Sequence, residues 1–330
     1  MKAEKVNRIL IIRLSSLGDV LLTSPVIRVL KQQYPDTMID FFVRTEYADA
    51  VKFNPNLNVV YTLPRSEKSK FILKILKDNN YDFIVDLQNN FRSRLFTKSL
   101  NKTTYSYRKS TWDKYLLVRF KINRFKSVKS ITQRYADSIP GLKLDNAGLE
   151  LFAPSDLESV LTTSDNYIGI CPGAKHFTKR WLPEYFVELG NKLHEKGFKI
   201  LLFGGLEDKF VCELISSQIQ GSVNLCNDNQ LFSTLSEMKN CRLIICNDSG
   251  LMHTAAAVGV PIVTIFGSSV KEFGFAPYGV PNLILENNSL SCRPCSHIGR
   301  SSCPKKHFKC MKEITPETVI ASVLKLLSKL

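Results

Sequence analysis

The chain contains no Asp-x-Asp, so it lacks the clustered carboxylates with which an Mg²⁺-dependent enzyme usually holds a sugar-nucleotide diphosphate. It also lacks a G-x-G-x-x-G, which makes dinucleotide binding a poor fit. Apolar runs stay under about ten residues, too short to span a bilayer. No signal-peptide cleavage pattern follows the N-terminus, which leads from Arg8 directly into Ile9-Leu10-Ile11-Ile12, so a cytoplasmic location is expected. The 9 cysteines are odd in number and scattered through apolar segments, which fits reduced thiols rather than a secreted disulfide framework.

Acid is scarce in one half only. Residues 1–150 carry 27 Lys/Arg against 14 Asp/Glu, a net +13, whereas residues 151–330 carry 18 against 16, a net +2. Between Arg92 and Arg134 thirteen cations face a single acid, Asp113, with Tyr105, Tyr107, Trp112, Tyr115, Phe120 and Phe125 interleaved. A nucleic-acid groove, a surface for anionic lipid, a pocket for a phosphorylated substrate and a merely solvated basic face all remain open on this pattern.

What is present is an alternation of apolar segments and helical patterns, the signature of parallel sheets with crossover helices. Strands are expected at 8–14, 38–43, 58–62 and 82–87, then at 166–171, 198–203, 222–226, 242–246 and 260–266. Helices are expected at 25–33, where Ser24 can cap and Pro25 suits the first turn, and at 183–196, 208–219, 230–239, 250–258 and 315–330. A length of 330 residues suggests two domains, here 1–155 and 156–330, with a linker best placed near 153–165. The last helix, 315–330, is a candidate to pack back on the first domain. Two Rossmann-like sheets place chemistry in the loops after their strands, where ligands of such folds sit.

Four such loops stand out. Asn247-Asp248-Ser249-Gly250-Leu251-Met252-His253 lies between two apolar segments, so Ser249 and Gly250 begin a helix whose free N–H groups and dipole favour a phosphate. An N-capped core helix is the plainer alternative. After the first strand, Ser15-Ser16-Leu17-Gly18-Asp19 puts a carboxylate at the mouth of the interdomain cleft, placed to accept a proton or simply to cap a helix. Pro172-Gly173-Ala174-Lys175-His176-Phe177-Thr178-Lys179-Arg180-Trp181 gathers three cations before a Pro-started helix and suits an anion, with Trp181 read as a core anchor. Phe203-Gly204-Gly205-Leu206-Glu207-Asp208 offers close backbone approach and an acid for ribose hydroxyls, a weak signal alone.

Taken in order, these stretches resemble glycosyltransferase family 9, the ADP-heptose:lipopolysaccharide heptosyltransferases. The matching residues are Ile11 to Leu21, Asp86-Leu87-Gln88, Pro172-Gly173-Ala174 with Lys179-Arg180-Trp181, Phe203-Gly204-Gly205 and Asn247 to His253. The resemblance implies an α/β GT-B fold, two Rossmann-like domains with parallel sheets facing across a cleft, the first binding acceptor and the second the nucleotide sugar. It places the catalytic base on Asp19 and the donor-phosphate lysine on Lys179. Donor binding falls on Gly173, Ala174, Asp248, Ser249, Gly250 and His253, with an acidic donor contact on Glu207 or Asp208. Acceptor binding falls on Ser16, Gly18, Gln88, Arg92 and Arg94. The family often has Gly where Asn89 stands, which leaves the acceptor contacts open.

The implied reaction is a single inverting displacement, without metal or cofactor, moving heptose from ADP-heptose to an anionic lipid A–Kdo type lipopolysaccharide core acceptor. A peripheral position on the inner face of an anionic cytoplasmic membrane would follow, with no nucleic acid and no obligate protein partner. A GT-B enzyme using another nucleotide sugar is the nearest alternative, and a basic nucleic-acid-binding protein a more distant one. Separately, Cys292, Cys295, Cys303 and Cys310 could supply four thiolates to a structural Zn²⁺, or stand as buried or loop thiols; only the first pair has ligand spacing.

Overall fold

The computed structural model describes residues 6–65, 70–161 and 166–330. It divides into two compact units: Met1–Lys109 with Ile131–Pro154, and Ser110–Ser130 with Ser155–Leu330. The segment 110–130, assigned from the sequence to the first domain, therefore belongs with the second. Residues 162–165 of the expected linker lie outside the described residues.

In the first unit β1 (Arg8–Ile12) is followed by α1 (Leu17–Leu21) and α2 (Ser24–Gln33). Next come β2 (Met38–Arg44), β3 (Val59–Leu63), α3 (Lys70–Asp78), β4 (Phe83–Asp86), α4 (Phe91–Leu100) and β5 (Thr103–Ser106). The chain then forms α5 (Thr111–Phe120) in the second unit before returning as α6 (Ile131–Ala136). The strands pair in parallel in the order β3-β2-β1-β4-β5. β1 is central because Ile9-Leu10-Ile11-Ile12 is apolar on both faces and fully buried, as a doubly covered parallel strand requires. α2 begins one residue earlier than expected, with Thr23 at the cap position. Ser24 Oγ donates to Leu21 O and accepts from Glu150 N, and Arg28 holds Asp145 through two bonds of 2.6 Å. These contacts tie the segment 145–150 to α2.

The second unit runs β6 (Tyr167–Cys171), α7 (Pro183–His194), β7 (Lys199–Leu202), α8 (Lys209–Ser216), β8 (Val223–Asn224), α9 (Leu231–Met238) and β9 (Cys241–Asn247). It continues with α10 (Gly250–Ala257), β10 (Ile262–Phe266), β11 (Asn282–Glu286), α11 (Lys309–Lys312) and α12 (Pro316–Leu327). Its parallel order is β11-β10-β9-β6-β7-β8. Trp181 is 1% exposed, meets Phe186 edge-on at 4.8 Å and donates its indole N–H to Ile314 O, a core anchor as expected. Val319, Ile320, Val323 and Leu326 of α12 join the same core. These four residues of α12 thus pack within their own unit, while Leu324 and Leu330 of the expected apolar stripe are 38% and 60% exposed.

Both α/β sheets wind outward in two directions from a pair of central strands. Numbered within each unit, the orders are 3-2-1-4-5 and 3-2-1-4-5-6, so the winding reverses between β1 and β4 and between β6 and β9. A crevice opens at the carboxyl ends of the strands at such a reversal. Of the four loops that the sequence singles out, three follow β1, β6 and β9 at these reversals and the fourth follows β7; Asp86-Leu87-Gln88 of the resemblance lies at the end of β4. Among the described residues no helix is long and apolar enough to cross a membrane.

Candidate active site

In the first unit, α1 starts with Ser16 in extended backbone, and Asp19 sits in its first turn. Asp19 Oδ2 accepts from Ser16 Oγ at 3.0 Å and from Ser16 N at 3.3 Å, so the helix-capping reading holds. Its other oxygen meets Arg13 Nη2 at 2.7 Å, and the side chain keeps 19% exposure. Arg13 itself is buried, donates to Leu87 O at 2.5 Å and lies 5.5 Å from the Tyr135 ring centre. Arg13 was not singled out from the sequence, because one arginine after a strand carries no spacing signal.

Gln88 is buried and uses its Oε1 to accept from Leu14 N and Ser15 N, so it shapes the Asp19 loop from β4. Asp86 organises the β4 loop: Oδ1 accepts from Gln88 N and Asn89 N, and Oδ2 from Ser93 Oγ. Burial nevertheless pushes its carboxyl up, against those bonds. Asn89 has φ +40°, the left-handed region where glycine is unstrained and asparagine tolerated, which accounts for a family glycine at this place. Arg92 and Arg94 are exposed on α4, Arg94 held by Asn89 Oδ1 at 2.8 Å. Gly18 is buried inside α1. Lys109 adds an exposed cation whose ammonium is lowered by partial desolvation and by the like charge of Arg13.

In the second unit, Asn247 at the end of β9 accepts from Trp181 N at 3.0 Å and donates to Pro172 O at 2.7 Å. That pair of bonds holds the loop after β6 against the loop after β9. Next in the chain, Asp248 is 7% exposed, with Lys179 Nζ at 2.7 Å and Ser269 Oγ at 2.5 Å, both on Oδ2. Burial alone would raise this carboxyl, but the Lys179 ammonium overcomes it and holds the group below its ordinary range. Ser249 caps α10 in extended backbone, yet its Oγ is buried with no hydrogen-bond partner among the described residues. His253 is buried one turn on, 6.4 Å between ring centres from Phe275. Ser269, after β10, has no distinguishing sequence pattern; only its place at a strand end could have pointed to it.

The two acids after β7 part company. Glu207 is exposed, whereas Asp208 turns inward, accepts from Gly205 N at 3.2 Å, and has its carboxyl pushed up by burial. A Cβ on Gly173 would stand 2.2 Å from the Asp208 carboxyl, so glycine there is what lets the acid lie against the loop after β6. Ala174 O accepts from Arg180 Nε at 2.6 Å. Lys175, Lys179 and Arg180 make the loop cationic enough to lower His176, after the larger effect of burial.

Cys292, Cys295, Cys303 and Cys310 line one small cavity together with His307, whose Nε2 is 3.8 Å from Cys292 Sγ. Among the described residues no three His, Cys, Asp or Glu side chains are arranged to hold a metal ion.

Residues 71–306 match the family model for glycosyltransferase family 9 (heptosyltransferase). The chain belongs to that family. It is a glycosyltransferase, and its α/β class is GT-B. It is 25% identical to the lipopolysaccharide heptosyltransferase 2 of Salmonella typhimurium over 98% of this chain and 99% of that one. To the lipooligosaccharide heptosyltransferase 2 of Campylobacter jejuni it is 27% identical, over 94% and 95%. In fold it resembles the family 9 glycosyltransferase of Veillonella parvula, with a TM-score of 0.82, 22% identity and coverage of 100% and 99%. The ADP-heptose lipopolysaccharide heptosyltransferase II of Escherichia coli follows with 0.74, 23% identity, 98% and 99%. Membership in an enzyme family sets aside the nucleic-acid-binding alternative.

Proposed function

We propose that this glycosyltransferase moves a heptose from ADP-heptose to an anionic lipopolysaccharide core acceptor, in one inverting displacement that needs no metal. The observation that carries the reading is the Lys179–Asp248 pair at the amino end of α10, at the reversal point of the second sheet. A fixed ammonium, a buried Ser249 hydroxyl with no partner among the described residues, and the free N–H groups of α10 are donors suited to a departing diphosphate. Asp248 holds the Lys179 side chain in place, and Ser269 fixes Asp248. Donor binding is assigned to Gly173, Ala174, Asp248, Ser249, Gly250 and His253. Of the two acids, Asp208 is preferred to Glu207 for the ribose, because it is the one turned into the loop.

Asp19 is assigned as the base, with Arg13 and Ser16 fixing its orientation. A carboxylate is a weak base, so proton removal from the acceptor hydroxyl is concerted with attack on the anomeric carbon. Gly18 lets α1 begin close to the acceptor, Gln88 holds the Asp19 loop, and Arg92, Arg94 and Lys109 meet acceptor phosphate or carboxylate. The first unit thus takes the acceptor and the second the donor. Relatives named for lipopolysaccharide or lipooligosaccharide heptose transfer, and an Escherichia coli heptosyltransferase solved with ADP, support this choice.

The test is transfer from ADP-heptose to a Kdo-bearing lipid A acceptor, with the parent enzyme and Asp19→Asn. Expected are turnover that survives a chelator, and loss of at least about a thousandfold in the variant with little change in ADP-heptose affinity. Near-parental turnover by Asp19→Asn would refute the base assignment. Stabilisation against heat by UDP or GDP sugars but not by ADP-heptose would refute the donor.

A further inference from the structure

The helix α5 is apolar on two opposite sides, and only one of them is covered. On the inner side Leu117 is buried with Val270 and Phe273, and the Lys114 ammonium lies 5.9 and 5.8 Å from the ring centres of Phe273 and Phe275. Lys121 Nζ closes the helix end by donating to Cys292 O and Pro294 O. The outer side carries Trp112, Tyr115 and Phe120, which are 65%, 48% and 56% exposed. Trp112 and Tyr115 stack with centroids 5.5 Å apart, and Phe120 meets Tyr115 edge-on at 5.9 Å. Ile122 and Val128 follow in the loop, 53% and 50% exposed. A helix that covers a core ordinarily turns charge to water on its far side, and here that side is aromatic. Arg119 on the helix and Arg124 and Lys126 in the loop after it are exposed, and no acid occurs between Asp113 and Asp137.

We infer that this face of α5, with the loop 121–130, docks on the headgroup layer of an anionic lipid bilayer. Tryptophan and tyrosine favour the level where a bilayer changes from apolar to wet, and the cations suit lipid phosphates just outside it. Single-stranded nucleic acid would also use rings and cations, but Ile122 and Val128 beside them have no use against bases or a sugar-phosphate backbone, whereas they add apolar area at a membrane. The inference deepens the proposed function and rests on it for its purpose: an acceptor carried by lipid must be met at a lipid surface.

The experiment mixes the full chain with phosphatidylcholine vesicles, with and without phosphatidylglycerol, and reads sedimentation and tryptophan emission. The chain has 2 tryptophans and Trp181 is 1% exposed, so an emission shift reports Trp112. Expected are sedimentation with anionic vesicles accompanied by a blue shift, and a partition at least about tenfold weaker for the triple variant Trp112→Ser, Tyr115→Ser, Phe120→Ser. The triple variant should keep the parental rate on a deacylated, water-soluble acceptor, which shows it folded. No partition, partition undiminished by the triple substitution, or tighter binding to single-stranded RNA than to vesicles would overturn the inference. If the parent binds anionic vesicles but transfers no heptose, the proposed function fails and the lipid-docking face stands.

Discussion

Gly173 shows how narrow the allowances at single positions are. Its missing Cβ is the space that the Asp208 carboxyl occupies, and Asp208 in turn receives the Gly205 N–H. Gly173→Ala should push that carboxylate off its backbone donor. We expect stability to fall by about 1–3 kcal/mol and the donor KM to rise several-fold, read by thermal unfolding and by transfer kinetics. A stable variant with unchanged donor KM would mean that Asp208 does not serve the donor. Gly173, Asp19, Lys179 and Asp248 drew attention in the sequence because each follows an apolar run, in a polar loop or in the first turn of the helix after it. Arg13 and Ser269, which hold Asp19 and Asp248, did not. Their effect comes from contacts across 6 and 21 residues, and the identity of an isolated arginine or serine does not announce its partner. Asn89 falls between: its departure from glycine was visible, and the positive φ that explains it was not.

The central strands were readable from their uninterrupted Ile, Leu and Val, which reflect burial on both faces. β5 (Thr-Thr-Tyr-Ser) and β11 (Asn-Leu-Ile-Leu-Glu), two of the four sheet edges, escaped notice, whereas the other two, β3 and β8, were expected. An edge strand is only partly covered, so its pattern is shorter and mixed. The attachment of 145–150 to α2 was likewise invisible, since it depends on the buried Arg28 reaching Asp145 and Glu150. Arg28 holds the Asp145 carboxyl at about 2. With an unfolded value near 3.9, the ionised form is favoured by folding, so this contribution is complete above about pH 5 and is lost as acid approaches about pH 2. The urea midpoint of the parent should therefore exceed that of Asp145→Asn at about pH 6, with the gap roughly halved at about pH 3. A gap that is the same at both pH values would rule out this linkage.

For the whole molecule the uneven charge has a kinetic meaning if the acceptor is anionic. Fields from exposed cations are screened over about 8–10 Å at ordinary salt. Raising salt from about 50 to about 300 mM should increase the acceptor KM several-fold and leave the donor KM nearly unchanged, because Lys179 is largely shielded from solvent, at 15% exposure. The double variant Arg92→Glu, Arg94→Glu should start with a higher acceptor KM and respond less to salt. An equal salt response in both proteins would remove these arginines from the acceptor's path. The +13 of the first 150 residues was plain in the sequence, but the assignment of 110–130 to the second unit was not. It rests on Leu117 finding Val270 and Phe273, a pairing more than 150 positions apart.

That assignment means the backbone passes between the two units at 109/110, 130/131 and 154/155. A fragment cut at residue 155 would leave Val270 and Phe273 without the helix that shields them, so neither part is a detachable cassette. An exchange of carboxyl-terminal halves between homologues would break at this seam unless some twenty residues from the other half travelled too. Residues 110–130 tie the two units into one heritable piece of chain.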